Sequence, residues 1–494
     1  MPAYYLEAFT VTLGLVLLLA EAFFPARKGK AWVGIAGAIG LAGILASAFL
    51  TIGPEGNPTA NWASWPMWNF YQFDSLARFF KIFSLLTTIF VLLMAVDYRS
   101  ILARFTDHPE SENGTGEFYC LPIFACAGMM WIASARDLAT AFVALELVTV
   151  TFYILVAFMR RNIGSLEAGV KYLIIGALST GFLVYGIAWI YGSLGTMTFD
   201  GLASALHSPG TLHTTPLLFG IALVLIGLGF KVGAVPTHIW IPDVYQGAPT
   251  PTTAFLSVGS KAAGFVLLIR FIEPFLDGFS PVRHEVTGIL AILATATLLF
   301  GNFAAIPQTN FKRLLGYSSI AHAGFLLLAL AAWQPESINS LGSSKSVAFY
   351  LATYLLMTLA VFFVLGQVRV QRQGEAIADF NGLGKSNPRL ATVMTVLLAA
   401  LAGVPLTAGF VGKFLVFDLA RNAHFWCPLI IGCIGAAAGF YYYFKIIRAM
   451  WWIEPDSSAA TIVLPRITQI SLIMLTAAVI IIGIYPEPIY ALLR

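Results

Sequence analysis

The chain has 494 residues, 59% of them hydrophobic and 11% charged, with a formal charge of +4 and a mean hydropathy of +0.82. A soluble domain carries roughly 25% charged residues, so too little charge is present to coat a water-facing surface, and lipid must be the solvent. The positive charge is small and scattered, with no basic tract, which speaks against nucleic acid as a partner.

Read against the thickness of a bilayer, at about 20 residues per crossing, apolar runs predict an all-α, polytopic membrane protein of about fourteen transmembrane helices. The spans fall near 3–24, 32–52, 75–96, 118–134, 137–158, 167–192 and 215–241, then near 252–274, 285–305, 312–333, 346–368, 388–420, 427–451 and 464–487. The first begins almost at the N-terminus without a basic flank or cleavage site, so it is expected to be retained. The second carries Gly34, Gly37, Gly40 and Gly43, small residues that let a neighbouring helix approach closely.

Basic residues cluster after odd-numbered spans. Arg27, Lys28 and Lys30 follow the first, Arg99 and Arg104 the third, and Arg160 and Arg161 the fifth. Lys312 and Arg313 follow the ninth, and Arg369, Arg372, Lys385 and Arg389 the eleventh. The positive-inside rule puts these loops in the cytoplasm and both termini outside. The sequon at Asn113 then lies on the cytoplasmic side, where it is a chance match. Cys120, Cys126, Cys427 and Cys433 lack metal-site or cluster spacing, and no glycine-rich nucleotide loop follows a strand, so no redox cofactor is expected in this chain.

Ionisable side chains at membrane depth cost at least ~2.5–3.5 kcal/mol each, and mark function unless they snorkel to the interface. Glu146 sits mid-span in the fifth helix. Lys231 precedes Pro236, Lys261 has apolar flanks on both sides, and Lys413 follows Pro405. Lys171 lies four residues from Glu167, where a helix-surface ion pair is the bland alternative. His322 and His238 are deep enough for proton relay, against the simpler reading of a core histidine bonded to a carbonyl. Arg270, Lys445 and Arg448 lie near span ends, where snorkelling accounts for them. Burial disfavours the charged form of a lysine and a nearby carboxylate restores it, whereas arginine stays protonated. Lysine at these depths therefore suits proton transfer better than static pairing.

The segments around 231–236 and 405–413 join lysine to proline, predicting two broken helices whose freed carbonyls line a transport site. Glu146 and His322 are 176 residues apart, Lys231 and Lys413 182, and Lys261 and Lys445 184. Each step is five spans, an odd number, so the second copy is inverted. The expected divisions are 1–110 (three helices), 118–274 (first five-helix repeat), 285–451 (second, inverted repeat) and 464–494 (a last helix).

The runs GFKVGAVPTHIWIPDVYQGAPTPTTAFLSVGSKAA (229–263), QTNFKRLLGYSSIAHAGFLLL (308–328) and LAGVPLTAGFVGKF (401–414) resemble the subunit N family of bacterial NADH–quinone oxidoreductase, respiratory complex I, and less closely Mrp-type cation/proton antiporter subunits. The resemblance covers most of the chain and is weakest before about residue 70. It implies an antiporter-like fold of two inverted five-helix repeats in the bacterial inner membrane. Glu146 and Lys231 would be a coupled pair, Lys261 and Lys413 would continue a polar axis, and His322 and Lys171 would lie on it. It also implies partner subunits that carry the FMN, the iron–sulfur clusters and the quinone chemistry. Leu406 stands where the family often has a second proline, and Thr358 where asparagine is common. The alternative is an Mrp-type sodium/proton antiporter subunit, which shares the buried charges without the redox partners.

Overall fold

A computed structural model describes all residues except 24–28, 54–63, 107–111, 113, 208–212, 337–340, 455–460 and 494. Arg27, Lys28 and Asn113, singled out above, lie outside the described residues. Among the described residues the fold is helical, with isolated β-bridges in place of strands. Thirteen helices are long and apolar enough to cross a membrane: α1 (Tyr5–Phe23), α2 (Ala31–Ala48), α3 (Ser75–Asp97), α4 (Gly116–Ser134), α5 (Leu138–Val156), α6 (Ile163–Leu194), α7 (Thr214–Gly247), α8 (Thr250–Leu276), α9 (Arg283–Ala305), α10 (Phe311–Ala331), α11 (Gly342–Arg372), α13 (Trp426–Trp452) and α14 (Arg466–Ile484). Between α11 and α13 two shorter helices, Pro388–Ala402 and Ala408–Asn422, meet end to end as α12 and complete a fourteenth crossing.

The helices start where side chains can satisfy the exposed N–H groups of a first turn. Asp74 caps α3 through Ala77 N, Asp137 caps α5 through Thr140 N, and Asn162, Asn310 and Asn387 do the same for α6, α10 and α12. The second span's glycines pack as expected at three positions. A Cβ on Gly34 would strike Val96 and Tyr119, one on Gly37 would crowd Ile123 and Leu92, and one on Gly40 would strike Leu13, whereas Gly43 faces open space.

Loops following odd-numbered helices are tied to one another. The Arg161 N–H reaches the Phe105 carbonyl, Asn310 bridges to Ala376, and Lys385 pairs with Glu454. Loops after even-numbered helices are joined likewise, through Gln72 N–H to Ser134 O and the Arg136–Asp200 ion pair. The basic loops therefore share one face of the bundle. Across it, α8, α10 and α11 are enclosed on all sides, while α1, α6, α13 and α14 expose mostly apolar faces of the kind lipid covers.

Candidate functional site

Glu146 is half-buried on α5 and accepts a hydrogen bond from Thr180 Oγ1 of α6 at 2.9 Å. One turn further along α5, Thr149 Oγ1 accepts from Lys231 Nζ at 2.5 Å. Both charges are among the described residues, and they form no direct ion pair. Each rests on a threonine hydroxyl of a neighbouring helix, Glu146 on Thr180 of α6 and Lys231 on Thr149 of α5. The Lys231 ammonium also lies 5.4 Å from the Phe230 ring and 6.0 Å from that of Tyr172, where ring faces attract a cation.

Lys231 occupies the last turn of the first half of α7, which stops at Val232 with Gly233 in the left-handed region (φ 83). After that, a 3₁₀ turn, Thr237–Trp240, leads into a second half, Ile241–Gly247. The groups freed by the break find partners locally: Trp240 Nε1 donates to Phe230 O at 3.1 Å and Val235 N to Thr297 Oγ1 at 3.0 Å. Gly233 also brings this turn close to α8, since a Cβ there would sit 3.6 Å from Lys261 Nζ.

Lys261 begins the regular part of α8, directly after a π-helical turn, Leu256–Ser260. Such turns insert a residue and re-aim the side chains that follow. Lys261 Nζ donates to both the carbonyl and the hydroxyl of Ser319 on α10, at 2.5 Å each. The Ser319 hydroxyl in turn meets Tyr245 OH at 3.0 Å. One turn along α10, His322 is held between Tyr350 OH (2.7 Å from Nδ1) and Tyr443 OH (3.3 Å from Nε2), with Ser318 bonded to Tyr443.

Lys413 is buried on the second half of α12 and reaches back across the break, donating to Leu401 O at 3.0 Å and Ala402 O at 2.7 Å. These are end carbonyls of the first half, the negative pole of its dipole. Gly403 (φ 94) is needed twice there, for its conformation and because a Cβ would sit 3.0 Å from Lys413 Cδ. Phe325, three residues after His322, covers the ammonium at 5.3 Å.

Lys231, Lys261, His322 and Lys413 thus form one buried row across α7, α8, α10 and α12, with Glu146 at its outer end. Four expectations change. Lys171 is not on the row: its side chain is 40% exposed and pairs with Glu167 and Asp243, each at 2.7 Å, because α6 presents it to the basic face. His238 is buried, but it packs on the Phe300 ring and bonds no member of the row. Lys445, paired by spacing with Lys261, bonds the Gln308 carbonyl at the end of α9 and stands apart from the row. Arg270 does not snorkel either; it turns inward to a fork on Asp74.

Sequence reasoning also missed the hydroxyls that link the row (Thr149, Thr180, Ser319, Tyr245, Tyr350 and Tyr443), since nothing in composition separates them from ordinary core residues. It missed Lys81 as well, although Lys81 lies inside a predicted span and the rule that selected Lys231 would have found it.

A bundle of fourteen crossings with two broken helices and a row of buried lysines is the architecture of an antiporter-like membrane subunit. The family model for NADH:quinone oxidoreductase/Mrp antiporter transmembrane proteins matches residues 135–439. NADH-quinone oxidoreductase subunit N of Trichlorobacter lovleyi is 38% identical over 488 residues, covering 98% of this chain and 94% of that one. Among solved structures, a chain of respiratory complex I from Thermus thermophilus with bound aureothin is similar at TM-score 0.77 and 30% identity, covering 98% of this chain and 97% of that one. The Mrp complex from Dietzia sp. DQ12-45-1b holds a chain similar at TM-score 0.82 but 19% identity, covering 99% of this chain and 96% of that one, a likeness of fold alone. The chain belongs to the NADH:quinone oxidoreductase/Mrp antiporter membrane family and, within it, to the subunit N group of NADH–quinone oxidoreductases.

Proposed function

We propose that this chain is a proton-translocating membrane subunit of an NADH–quinone oxidoreductase, in which electron transfer through partner subunits drives protons along the buried row. The observation that carries this is the row itself: three enclosed lysines and a histidine, linked by hydroxyls and carbonyls, at the level of two helix breaks. The FMN, the iron–sulfur clusters and the quinone belong to partner subunits. In the bacterial inner membrane we place the basic face in the cytoplasm and both termini in the periplasm, a reading that the loop charges support.

Glu146 is the switch. In the present arrangement it and Lys231 rest on separate threonines; a shift that brings the carboxylate onto the ammonium holds the lysine's proton, and separation releases it. Moving one charge against 100 mV takes ~2.3 kcal/mol, and a swing of two pKa units supplies ~2.7 kcal/mol, so the two are of matching size. Lys261 links the halves and Lys413 ends the row. Lys171, with Glu167, Asp243, Lys312, Arg313 and Glu375, lines a polar cleft of ≈400 Å³ on the basic face; Tyr245, buried on the half-helix that carries Asp243, bonds Ser319 and through it Lys261. We read that cleft as the proton entry. His238 has no part in this route. The breaks in the seventh and twelfth crossings, five apart, support the division into inverted repeats at 118–274 and 285–451.

The test is Lys231→Ala in the assembled complex, reconstituted in vesicles with NADH oxidation and proton uptake measured together. Loss of proton transfer is expected; intact pumping at the full electron-transfer rate would remove Lys231 from the mechanism.

A further inference from the structure

A second pair of buried opposite charges lies away from the row, in the three N-terminal helices. Glu7 on α1 and Lys81 on α3 form an ion pair, with side chains 2% and 1% exposed. Lys81 lies six residues beyond the first of α3, about 9 Å along its axis, and its ammonium turns inward. The Tyr71 hydroxyl bridges the two groups, accepting from Lys81 Nζ at 2.7 Å and donating to Glu7 at 3.2 Å. Burial and the Glu7 charge hold the Tyr71 phenol well above its usual range, so it remains a hydroxyl able to pass a proton on.

An ion pair two turns away on the same helix shows a different choice. Asp74, the cap of α3, takes a forked pair of hydrogen bonds from Arg270 of α8 at 2.9 and 3.0 Å, and Arg270 also donates to Ala133 O. Burial pushes the Asp74 carboxyl up, but the Arg270 charge and hydrogen bonds, with that from Ala77 N–H, outweigh it and hold the group below its usual value. Arginine never gives up its proton, so this fork is a static clasp. Lysine with a phenol and a carboxylate, all enclosed, is not built that way. A buried pair is weak evidence for stability, since desolvation offsets its attraction.

The clasp stands between the pair and water: Asp74, seven residues before Lys81 at the start of α3, lines a cleft that the pair itself does not touch, while Glu7 lines a separate, mostly apolar pocket of ≈770 Å³ with Tyr4, Thr12, Trp131 and Thr140. Asp74 and Arg270 line a cleft of ≈550 Å³ on the face opposite the basic one, together with Asp200, Glu273, Asp277 and Lys345. Besides these groups, Cys126 of α4 faces the pair and Tyr4 packs on Tyr71.

We propose that Glu7 and Lys81 form a second proton-holding site, separate from the row, that exchanges with the aqueous cleft on the face opposite the basic loops. Release breaks a Lys81 N–H bond and leaves an amine beside a carboxylate; uptake makes a Glu7 O–H bond and leaves an ammonium beside an acid. In each case water in the cleft is the other partner. What the proton does next rests on the proton-translocating reading; that the site exchanges one does not, and the two are tested separately.

The experiment is infrared difference spectroscopy of the assembled complex in vesicles, varying the pH on the face opposite the basic one. A carboxylic C=O band that responds to this pH is expected in the unaltered protein, lost in Glu7→Gln and kept in Glu146→Gln. Lys81→Arg keeps a cation opposite Glu7 but fixes its proton; it should assemble normally and lose pH-dependent proton exchange at the site. A static pair gives no Glu7 band and an unaltered response in Lys81→Arg, and either result overturns the proposal. If those variants fail to assemble, Tyr71→Phe, which spares both charges, is read in the same way: a displaced band supports the site and an unmoved one overturns it. Failure of the row, shown by pumping in Lys231→Ala, would leave the Glu7 band in place.

Discussion

The breaks in α7 and α12 begin alike. Each first half ends on a left-handed glycine, Gly233 or Gly403, with a Val-Pro pair close behind. From there they diverge. In α7 the lysine comes before the break, local groups such as the Trp240 indole satisfy the freed backbone, and Lys231 is left to reach across to α5. In α12 the lysine comes after the break and is itself the cap, bound to Leu401 and Ala402. One lysine is coupled to a neighbouring helix and the other to the integrity of its own. A switch needs the first arrangement; a terminus whose proton state alters the hinge suits the second.

Five substitutions at four positions sharpen or break this contrast. Lys413→Ala should act on both stability and pumping: it uncovers two buried carbonyls at about 1–3 kcal/mol each, so thermal stability of the assembled complex should fall along with proton transfer. An unchanged unfolding temperature would show that the cap is not structural. Lys231→Met should abolish pumping with little loss of assembly, because it removes a buried charge while the carbonyls of its break keep their partners. Trp240→Phe deletes the indole bond to Phe230 O and leaves a void beside Tyr172 and Tyr245, and should cost roughly 1–3 kcal/mol, read as a lower unfolding temperature with pumping largely kept. The smallest effect belongs to Leu406, which adopts φ 67 within the α12 break. Leu406→Gly should stabilise by less than about 1 kcal/mol, relief of strain being partly offset by the freedom of unfolded glycine. Leu406→Pro should destabilise, because proline holds φ near −65°.

That last position also answers a question the sequence raised. The missing second proline does not blunt the break: the first half still stops at Ala402 and the second starts at Ala408, with Leu406 taking a left-handed turn that proline could not.

The sequence by itself determined the membrane class, the crossings, the grouping of the basic loops, and Glu146, Lys231, Lys261, His322 and Lys413 as residues out of place in lipid. It could do so because the cost of burying a charge is large and depends on little beyond depth. Which charges meet was decided by tertiary structure alone. Lys171, at the start of the sixth span, could be read as a row member or as the partner of Glu167, and α6 turns it to the basic face. Glu146 and Lys231 read as a pair, yet Glu146 rests on Thr180 of α6 and Lys231 on Thr149, one turn along α5 from the carboxylate. That Lys231 precedes its proline and Lys413 follows it was legible, but that one reaches to α5 and the other caps its own first half was not. Depth is a property of one helix and is written in its hydropathy. Facing and partnership are set by how a helix is rotated against its neighbours, through packing contacts spread over many apolar residues that no local pattern records.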